Sequence, residues 1–228
     1  MSDRVKAFLS GLSVPGKPDE FEVKNLLSSF GICVPAGVRL NPQDELDISG
    51  LSAPFALKVC SGDILHKTNE NGVALNLGED SLSAAVIDFR ERFPGRSLLV
   101  EEQLSFDGVE FIVGGLNDPD FGPAVMAGTG GILTELYQDV SFRLAPLTAT
   151  EALFMLDEIR IADVLKGFRG MKSDPHGLAQ VISRVGDMVC ELGENFNQLD
   201  INPLVYGSGK WTALDAALML VTGQESTI

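Results

Sequence analysis

Residues 108–147 read GVEFIVGGLNDPDFGPAVMAGTGGILTELYQDVSFRLAPL and contain three strand-like runs in succession. The runs are VEFIVGGL (109–116), PAVMAG (123–128) and VSFRLAPL (140–147), and glycine, aspartate and proline residues form the turns that join them. Strands that follow one another in this way do not fit the strict β-α-β-α alternation of a parallel Rossmann sheet. The segment therefore favours an α+β fold.

Helices and further strands flank this segment on both sides. The patterns before it predict helices over residues 19–30 and 80–93 and strands over residues 34–40, 54–59, 72–77 and 97–104. The patterns after it predict helices over residues 148–164 and 174–192 and strands over residues 198–206 and 210–220. We expect a lead-in over residues 1–18 and two α+β lobes over residues 19–100 and 101–228, with a hinge near residues 100–104. Ligand sites are common between such lobes.

Composition and charge exclude several classes of protein. The formal charge is −15, with 17 basic and 32 acidic residues, which argues against a nucleic-acid-binding surface. No apolar run approaches the roughly 20 residues of a membrane span, and MSDRVKAFLSGLS at the N-terminus lacks the apolar centre of a signal peptide. We expect a cytoplasmic protein whose three cysteines are reduced. A zinc site is not favoured, because the chain has only two histidines.

Lys58 lies in the middle of the apolar run FALKV (55–59). An unpaired buried ammonium is costly, so this side chain either lies on an exposed strand face or meets an anion such as a phosphate. The loop SGDILHKT (61–68) follows and contains His66. A histidine in a loop is usually a polar surface group, but an imidazole is also a good transient nucleophile in phosphoryl chemistry.

Two further segments carry groups that suit a phosphate and a metal ion. Adjacent glycines in GTGG (128–131) let backbone N–H groups approach phosphate oxygens, although glycines also simply form turns, and the segment lacks the lysine and hydroxyl of a P-loop. Asp200 and Asn202 point to the same face of a predicted strand, and Asp215 lies on the next strand-like segment. Their oxygens suit Mg²⁺ bound together with phosphates, whereas the alternative is a capped turn with structural Asp and Asn side chains.

Taken in order, these segments resemble the ATP-grasp fold, and specifically the β subunit of ADP-forming acyl-CoA synthetases, a family related to succinyl-CoA synthetase. The resemblance extends from about Asp19 to Leu220. It rests on ALKVCSGDILHK (56–67), residues 108–147, LKGFRG (165–170) and LDINPL (199–204). It implies an ATP-grasp fold of two α+β lobes with the nucleotide site between them.

The resemblance also implies roles for the matching residues. Lys58 resembles a catalytic lysine that contacts the nucleotide phosphates, and His66 matches a histidine that carries a phosphoryl group on a swinging loop. The residues implied in nucleotide binding are Lys58, Glu101, Glu102, Gln103, Leu104, Glu110, Gly130 and Gly131. The implied magnesium ligands are Asn202 and Asp215. The further supporting residues are Asp200, Arg143, Arg169 and Glu135.

The activity that the resemblance implies is the reversible conversion of an acyl-CoA, ADP and phosphate into a free acid, CoA and ATP, with Mg²⁺. A CoA-binding α subunit or fused domain would carry the first phosphohistidine, and this chain would pass the phosphoryl group through His66 to ADP. One alternative is a related ATP-grasp ligase for another acid, including a protein-acylating relative. Another is a non-catalytic nucleotide-binding interaction module. The acyl group and the choice between adenine and guanine stay open.

Overall fold

The computed structural model describes residues 1–62, 71–106, 108–131, 139–167 and 173–221. The helices within these ranges are α1 (Asp3–Gly11), α2 (Glu20–Ser29), α3 (Glu79–Arg92), α4 (Ala149–Asp157), α5 (Ala162–Leu165) and α6 (Pro175–Leu192). The strands are β1 (Gly37–Leu40), β2 (Phe55–Cys60), β3 (Val73–Leu77), β4 (Ser97–Glu102), β5 (Phe111–Asp118), β6 (Gly122–Thr129), β7 (Val140–Leu144), β8 (Phe196–Gly207), β9 (Lys210–Ala213) and β10 (Ala216–Leu220).

Two antiparallel sheets organise these elements. The smaller sheet has the strand order β1-β4-β2-β3. The larger sheet has the order β10-β8-β5-β6-β7, and β9 pairs with β8 beside that path. The predicted α+β class is confirmed.

Each sheet has its own hydrophobic core. In the smaller core, side chains of α3 such as Leu82 and Phe89 pack with Phe55 and Leu57 of β2. In the larger core, α6 buries apolar residues against the second sheet, and α4 packs beside α6. Helix α2 also contributes to the larger core, although it precedes the smaller sheet in the chain. Helix α2 therefore packs in the larger core, and its Lys24 and Glu20 side chains contact Glu101 and Lys58 of the smaller sheet.

The predicted helix starts are confirmed by their caps. Asp19 accepts a hydrogen bond from the backbone of Glu22, and the Glu22 carboxylate accepts one from the Asp19 N–H. Thr148 forms the equivalent capping box at the start of α4. Asp174 caps α6 by accepting from the Gly177 N–H, and Pro175 occupies the first turn, where its missing N–H has no helical acceptor.

Two predicted elements differ from the structure. The helix predicted over residues 148–164 ends at Asp157, because the Asp139 carboxylate accepts from the N–H groups of Arg160 and Ile161 and holds them out of the helical pattern. The strand predicted over residues 210–220 divides into β9 and β10. These two strands pair with different halves of β8, so the chain bends between them, at Leu214 and Asp215.

The division into lobes at about residue 100 stays a proposal. Strand β4 crosses that point, and Val5 of α1 is buried in the larger core.

Within the described ranges, no helix has the length and apolar character needed to cross a bilayer. Cys33, Cys60 and Cys190 form no disulfide bond with one another.

Candidate functional site

The Lys58 ammonium lies in a buried cluster of charges between the two cores. Alternate residues of β2 face α3, so Lys58 points to the opposite face of the smaller sheet, toward α2. Its Nζ atom lies 2.7 Å from Glu20 Oε1 and 3.0 Å from Glu101 Oε2. It also donates to the backbone oxygen of Leu214 across 2.5 Å. Of the two alternatives for this lysine, an exposed strand face is therefore wrong, and the anions it meets in this structure are carboxylates.

Lys24 belongs to the same cluster, and the sequence analysis did not identify it. Its Nζ atom lies 2.7 Å from Glu20 Oε1 and 2.5 Å from Glu101 Oε1, and it donates to the Leu214 oxygen across 2.8 Å. The i, i+4 spacing of Glu20 and Lys24 on α2 was a signal for an ion pair. Such pairs are mostly exposed on helix surfaces, so the spacing alone did not predict burial.

The charges and burial of the cluster shift the pKa values of the two lysines in opposite directions. Burial opposes the charge on Lys58, but the carboxylates of Glu20, Glu101 and Asp215 outweigh it and hold the pKa of Lys58 well above its usual value. Burial and the neighbouring Lys58 ammonium lower the pKa of Lys24. Lys58 donates to the backbone oxygen of Leu214, the residue before Asp215, so the predicted metal-binding segment lies next to this lysine.

A cavity of about 130 Å³ opens beside Lys58. Its lining comprises Pro35, Ala56, Lys58, Leu75, Glu101, Glu102, Gln103, Leu104, Phe106 and Leu214. All four residues of the predicted hinge segment therefore contact one space together with Lys58. Apolar walls with a few polar groups are typical of a small-molecule site.

The three polar side chains of this hinge segment have different surroundings. The Glu101 carboxylate turns toward the buried lysines, and the space for it depends on Gly37, where a Cβ atom would lie 2.8 Å from the Glu101 side chain. The Glu102 carboxylate accepts from the Ser52 N–H, and the Gln103 side chain pairs with Asn76. Their predicted roles in binding a nucleotide stay predictions.

The glycine loop lies against Glu110 and Asn202. The Gly130 N–H donates to the backbone oxygen of Glu110 across 2.7 Å, and the Gly131 N–H donates to Asn202 Oδ1 across 2.9 Å. Gly131 has a φ of +65°, and a Cβ atom there would overlap the Glu110 carboxylate. A Cβ atom on Gly130 would overlap the backbone of Phe111. Glycine is therefore required at position 130, whereas at position 131 the positive φ favours glycine and the Glu110 carboxylate would have to move to admit a side chain.

The two predicted metal ligands are neighbours in space. The Asn202 N–H donates to the backbone oxygen of Asp215 across 3.2 Å, where β8 passes the start of β10. Asp200 lies on β8 opposite Ala217 of β10. The described part of the chain has no group of three or more His, Cys, Asp or Glu side chains that could hold a metal ion. An Asn–Asp pair nevertheless fits Mg²⁺, which is usually held by one or two protein oxygens and completed by phosphates and water.

Not all predicted site residues come together. The Arg143 guanidinium pairs with the Glu158 carboxylate beside α4 and donates to Ser141, so its charge is already compensated there. His66, Glu135 and Arg169 lie outside the described residues. Their predicted roles stay predictions from the sequence.

Comparison with known proteins identifies the family. A model of the ATP-grasp domain matches residues 16–220. The chain is 37% identical over 212 residues to the β subunit of acetate–CoA ligase (ADP-forming) I of Pyrococcus furiosus, a match that covers 88% of this chain and 90% of that subunit. It is 35% identical over 205 residues to acetate–CoA ligase (ADP-forming) I of Archaeoglobus fulgidus, covering 86% of this chain but 30% of that longer protein.

The fold also matches solved structures of one such enzyme. Acetyl-coenzyme A synthetase 1 of Ca. Korarchaeum cryptofilum, in complex with coenzyme A and Ca-AMPCP, superposes with a TM-score of 0.83 at 33% identity, covering 95% of this chain and 97% of that one. A second structure of that protein contains coenzyme A and Mg-AMPPCP, and its phosphohistidine segment points towards the nucleotide binding site; the TM-score is 0.79 at 33% identity, with the same coverage.

Proposed function

Because the chain belongs to the ATP-grasp family and matches the β subunits of ADP-forming acetate–CoA ligases over most of its length, we propose that it is the nucleotide-binding subunit of an ADP-forming acyl-CoA synthetase. The proposed reaction converts an acyl-CoA, ADP and phosphate into the free acid, CoA and ATP. The single observation that carries the proposal is the cavity beside Lys58, because the hinge segment and a buried cation meet in one space there.

The proposed pose places the base of the nucleotide against the hinge residues 101–104 and its phosphates toward Lys58 and the glycine loop. The cavity walls of Ala56, Leu75 and Leu104 would cover the two faces of the ring. Gly130 and Gly131 pack closely on Phe111 and Glu110, which would fix the glycine loop beside the phosphates. Phosphoryl transfer depends mostly on position and on charge neutralisation, and these groups supply both.

Asn202 and Asp215 are the proposed ligands of Mg²⁺, and the bound ion would neutralise phosphate charge. Asn202 Oδ1 accepts from the Gly131 N–H in this structure. The oxygen has a second lone pair, so it can accept this N–H and still contact a cation. The same hydrogen bond would keep the glycine loop beside the metal-binding residues.

We propose His66 as the phosphoryl carrier on the strength of its sequence context. A CoA-binding α subunit or fused domain would make the acyl phosphate and release CoA. The phosphoryl group would pass to a histidine of that partner as the O–P bond of the acyl phosphate breaks and releases the free acid, and then to a His66 ring nitrogen. The N–P bond to His66 would break as a β-phosphate oxygen of ADP forms the new O–P bond of ATP. The longer relative from Archaeoglobus fulgidus, of which this chain matches 30%, supports such a second component. A cytoplasmic location is part of the proposal.

The test is ATP formation by the chain together with its CoA-binding partner subunit, or by the fused enzyme. Acetyl-CoA, ADP, Mg²⁺ and phosphate are supplied, and ATP and free CoA are measured. The proposal predicts equal amounts of both, and no ATP when phosphate or the partner is omitted. Absence of ATP across a panel of acyl-CoAs, with ADP binding retained, would overturn it in favour of a binding module.

A further inference from the structure

Lys24 is a buried charged residue to which the proposed reaction assigns no role. Its side chain is 3% exposed, and all of its described polar contacts are made within the cluster. These contacts reach Glu20 on the same helix, Glu101 on β4 of the smaller sheet and the Leu214 oxygen beside β10 of the larger sheet. Lys24 therefore joins three separate parts of the structure at the floor of the proposed nucleotide site.

Lys24 and Lys58 share every one of these partners. Glu20 Oε1 lies 2.7 Å from each ammonium, the Glu101 carboxylate contacts Lys24 with one oxygen and Lys58 with the other, and the Leu214 oxygen accepts from both. The cluster thus holds two positive and two negative charges out of water. A buried carboxylate that loses its cation is strongly destabilising, so the four charges behave as one balanced unit.

Only one of the two lysines faces the cavity. The cavity lining includes Lys58, Glu101 and Leu214, whereas Lys24 contacts the last two from α2 and is not part of the lining. If Lys58 donates to a nucleotide phosphate, its hydrogen bonds to Glu20 and Glu101 must weaken or break. The two carboxylates then depend on Lys24 for their compensating charge.

We infer that Lys24 is a positioning residue: it holds Glu20 and Glu101 so that Lys58 is free to bind the nucleotide polyphosphate. This inference rests on the proposed function, since it takes Lys58 as the phosphate ligand. Without Lys24, the cluster would carry a net charge of −1. That charge would hold Lys58 in place and repel the phosphates. The base would still meet Glu102, Gln103 and Leu104 of the hinge, none of which is among the described contacts of Lys24.

The test compares Mg-ADP with adenosine, each titrated into the full 228-residue chain. Lys24→Met keeps the length of the side chain and removes its charge. We expect the Kd for Mg-ADP to rise about tenfold or more. The Kd for adenosine, which has no phosphate, should stay within about twofold. Lys6→Met, which makes the same substitution at an exposed lysine paired with Asp3, is the matched control and should change neither value.

A charge-balanced double variant keeps the inference open to contradiction even if Lys24→Met does not fold. Adding Glu20→Gln leaves one lysine opposite one carboxylate, so Lys24→Met with Glu20→Gln should bind Mg-ADP within about threefold of the wild type. If the double variant binds Mg-ADP tenfold more weakly than the wild type, Lys24 acts on the phosphates itself and the inference is wrong. Equal Mg-ADP affinity of folded Lys24→Met and wild type would also overturn it. Failure of the wild type to bind Mg-ADP would instead overturn the proposed function.

Discussion

The backbone N–H of Asn202 donates to the backbone oxygen of Asp215 across 3.2 Å, which places these two residues side by side at the point where β8 meets β10. The charge of Asp215 also acts on Lys58, and Asn202 Oδ1 accepts from the glycine loop. Three segments that are far apart in the chain therefore meet around this one pair.

Asp215→Ala should raise the Mg²⁺ concentration needed for half-maximal ADP binding by about tenfold or more, because the variant removes the charged ligand of the proposed metal site. The measurement is ADP binding across a range of Mg²⁺ concentrations. Asp3→Ala, at an exposed aspartate of α1, is the control and should leave the Mg²⁺ dependence unchanged. The metal assignment is wrong if the two variants respond to Mg²⁺ alike.

Gly131→Ala should lower both the stability of the protein and its affinity for Mg-ADP. The new Cβ atom would overlap the Glu110 carboxylate and would place alanine at a φ of +65°. The left-handed backbone costs roughly 1 kcal/mol, and the Glu110 carboxylate must move away from the new Cβ atom. Urea denaturation and ADP titration measure the two effects.

Gly50→Ala is the matched control for that substitution. Gly50 has a φ of +86°, and a Cβ atom there would have no neighbour within 4 Å. This variant should therefore lose only the backbone contribution and keep its affinity for Mg-ADP. If Gly50→Ala and Gly131→Ala lose the same stability and the same affinity, the close packing of the glycine loop on Glu110 has no effect on binding.

Much of the secondary structure around this site was predictable because its signals are local. The capping residues, the strand around Lys58 and the order of the motifs all lie within short segments, and the structure confirms the elements they predict. The buried cluster was not predictable in the same way. Glu20 and Lys24 resemble an ordinary exposed i, i+4 pair, and only the packing of α2 between two cores buries them.

The misplaced boundaries have a similar cause. The helix predicted to reach residue 164 stops early because the distant Asp139 captures two of its N–H groups. The last predicted strand divides because its two halves pair with different halves of β8. In both cases a contact between remote segments overrides the local pattern, and no periodicity in a single segment reports such a contact.

Glu22→Gln should make the protein less sensitive to acid. Burial raises the pKa of Glu22, but hydrogen bonds from Ser13 and Asp19 and the charge of Arg39 outweigh it, so the net pKa lies below the usual value. The stabilisation is fully present above the usual value of 4.5 and is lost as the pH falls through the lowered pKa of the folded state.

Urea denaturation at about pH 6 and about pH 3 checks this prediction. The free energy of unfolding of the wild type should fall more between the two pH values than that of Glu22→Gln. At neutral pH the variant should be less stable by about 1 kcal/mol, because the neutral amide is a weaker acceptor in the cap of α2. An equal fall in both proteins would show that Glu22 does not contribute to the acid sensitivity.

His66→Asn should separate phosphoryl transfer from nucleotide binding. The variant loses the proposed carrier, so ATP formation with the CoA-binding partner should fall by about a thousandfold. Mg-ADP affinity should stay within about twofold of the wild type, because the residues proposed to bind the nucleotide are the hinge residues and Lys58. Undiminished turnover with the partner would rule out His66 as the carrier.

The most direct measurement of the central claim is calorimetric titration of Mg-ADP into the wild-type chain and into Lys58→Met. We expect saturable binding to the wild type that requires Mg²⁺. Loss of the charged hydrogen bonds of Lys58 should weaken binding by about 2–3 kcal/mol, or roughly 30- to 150-fold in Kd. Lys6→Met serves as the control. Equal affinity in the wild type and Lys58→Met, or no binding to the wild type, would contradict a nucleotide site at Lys58.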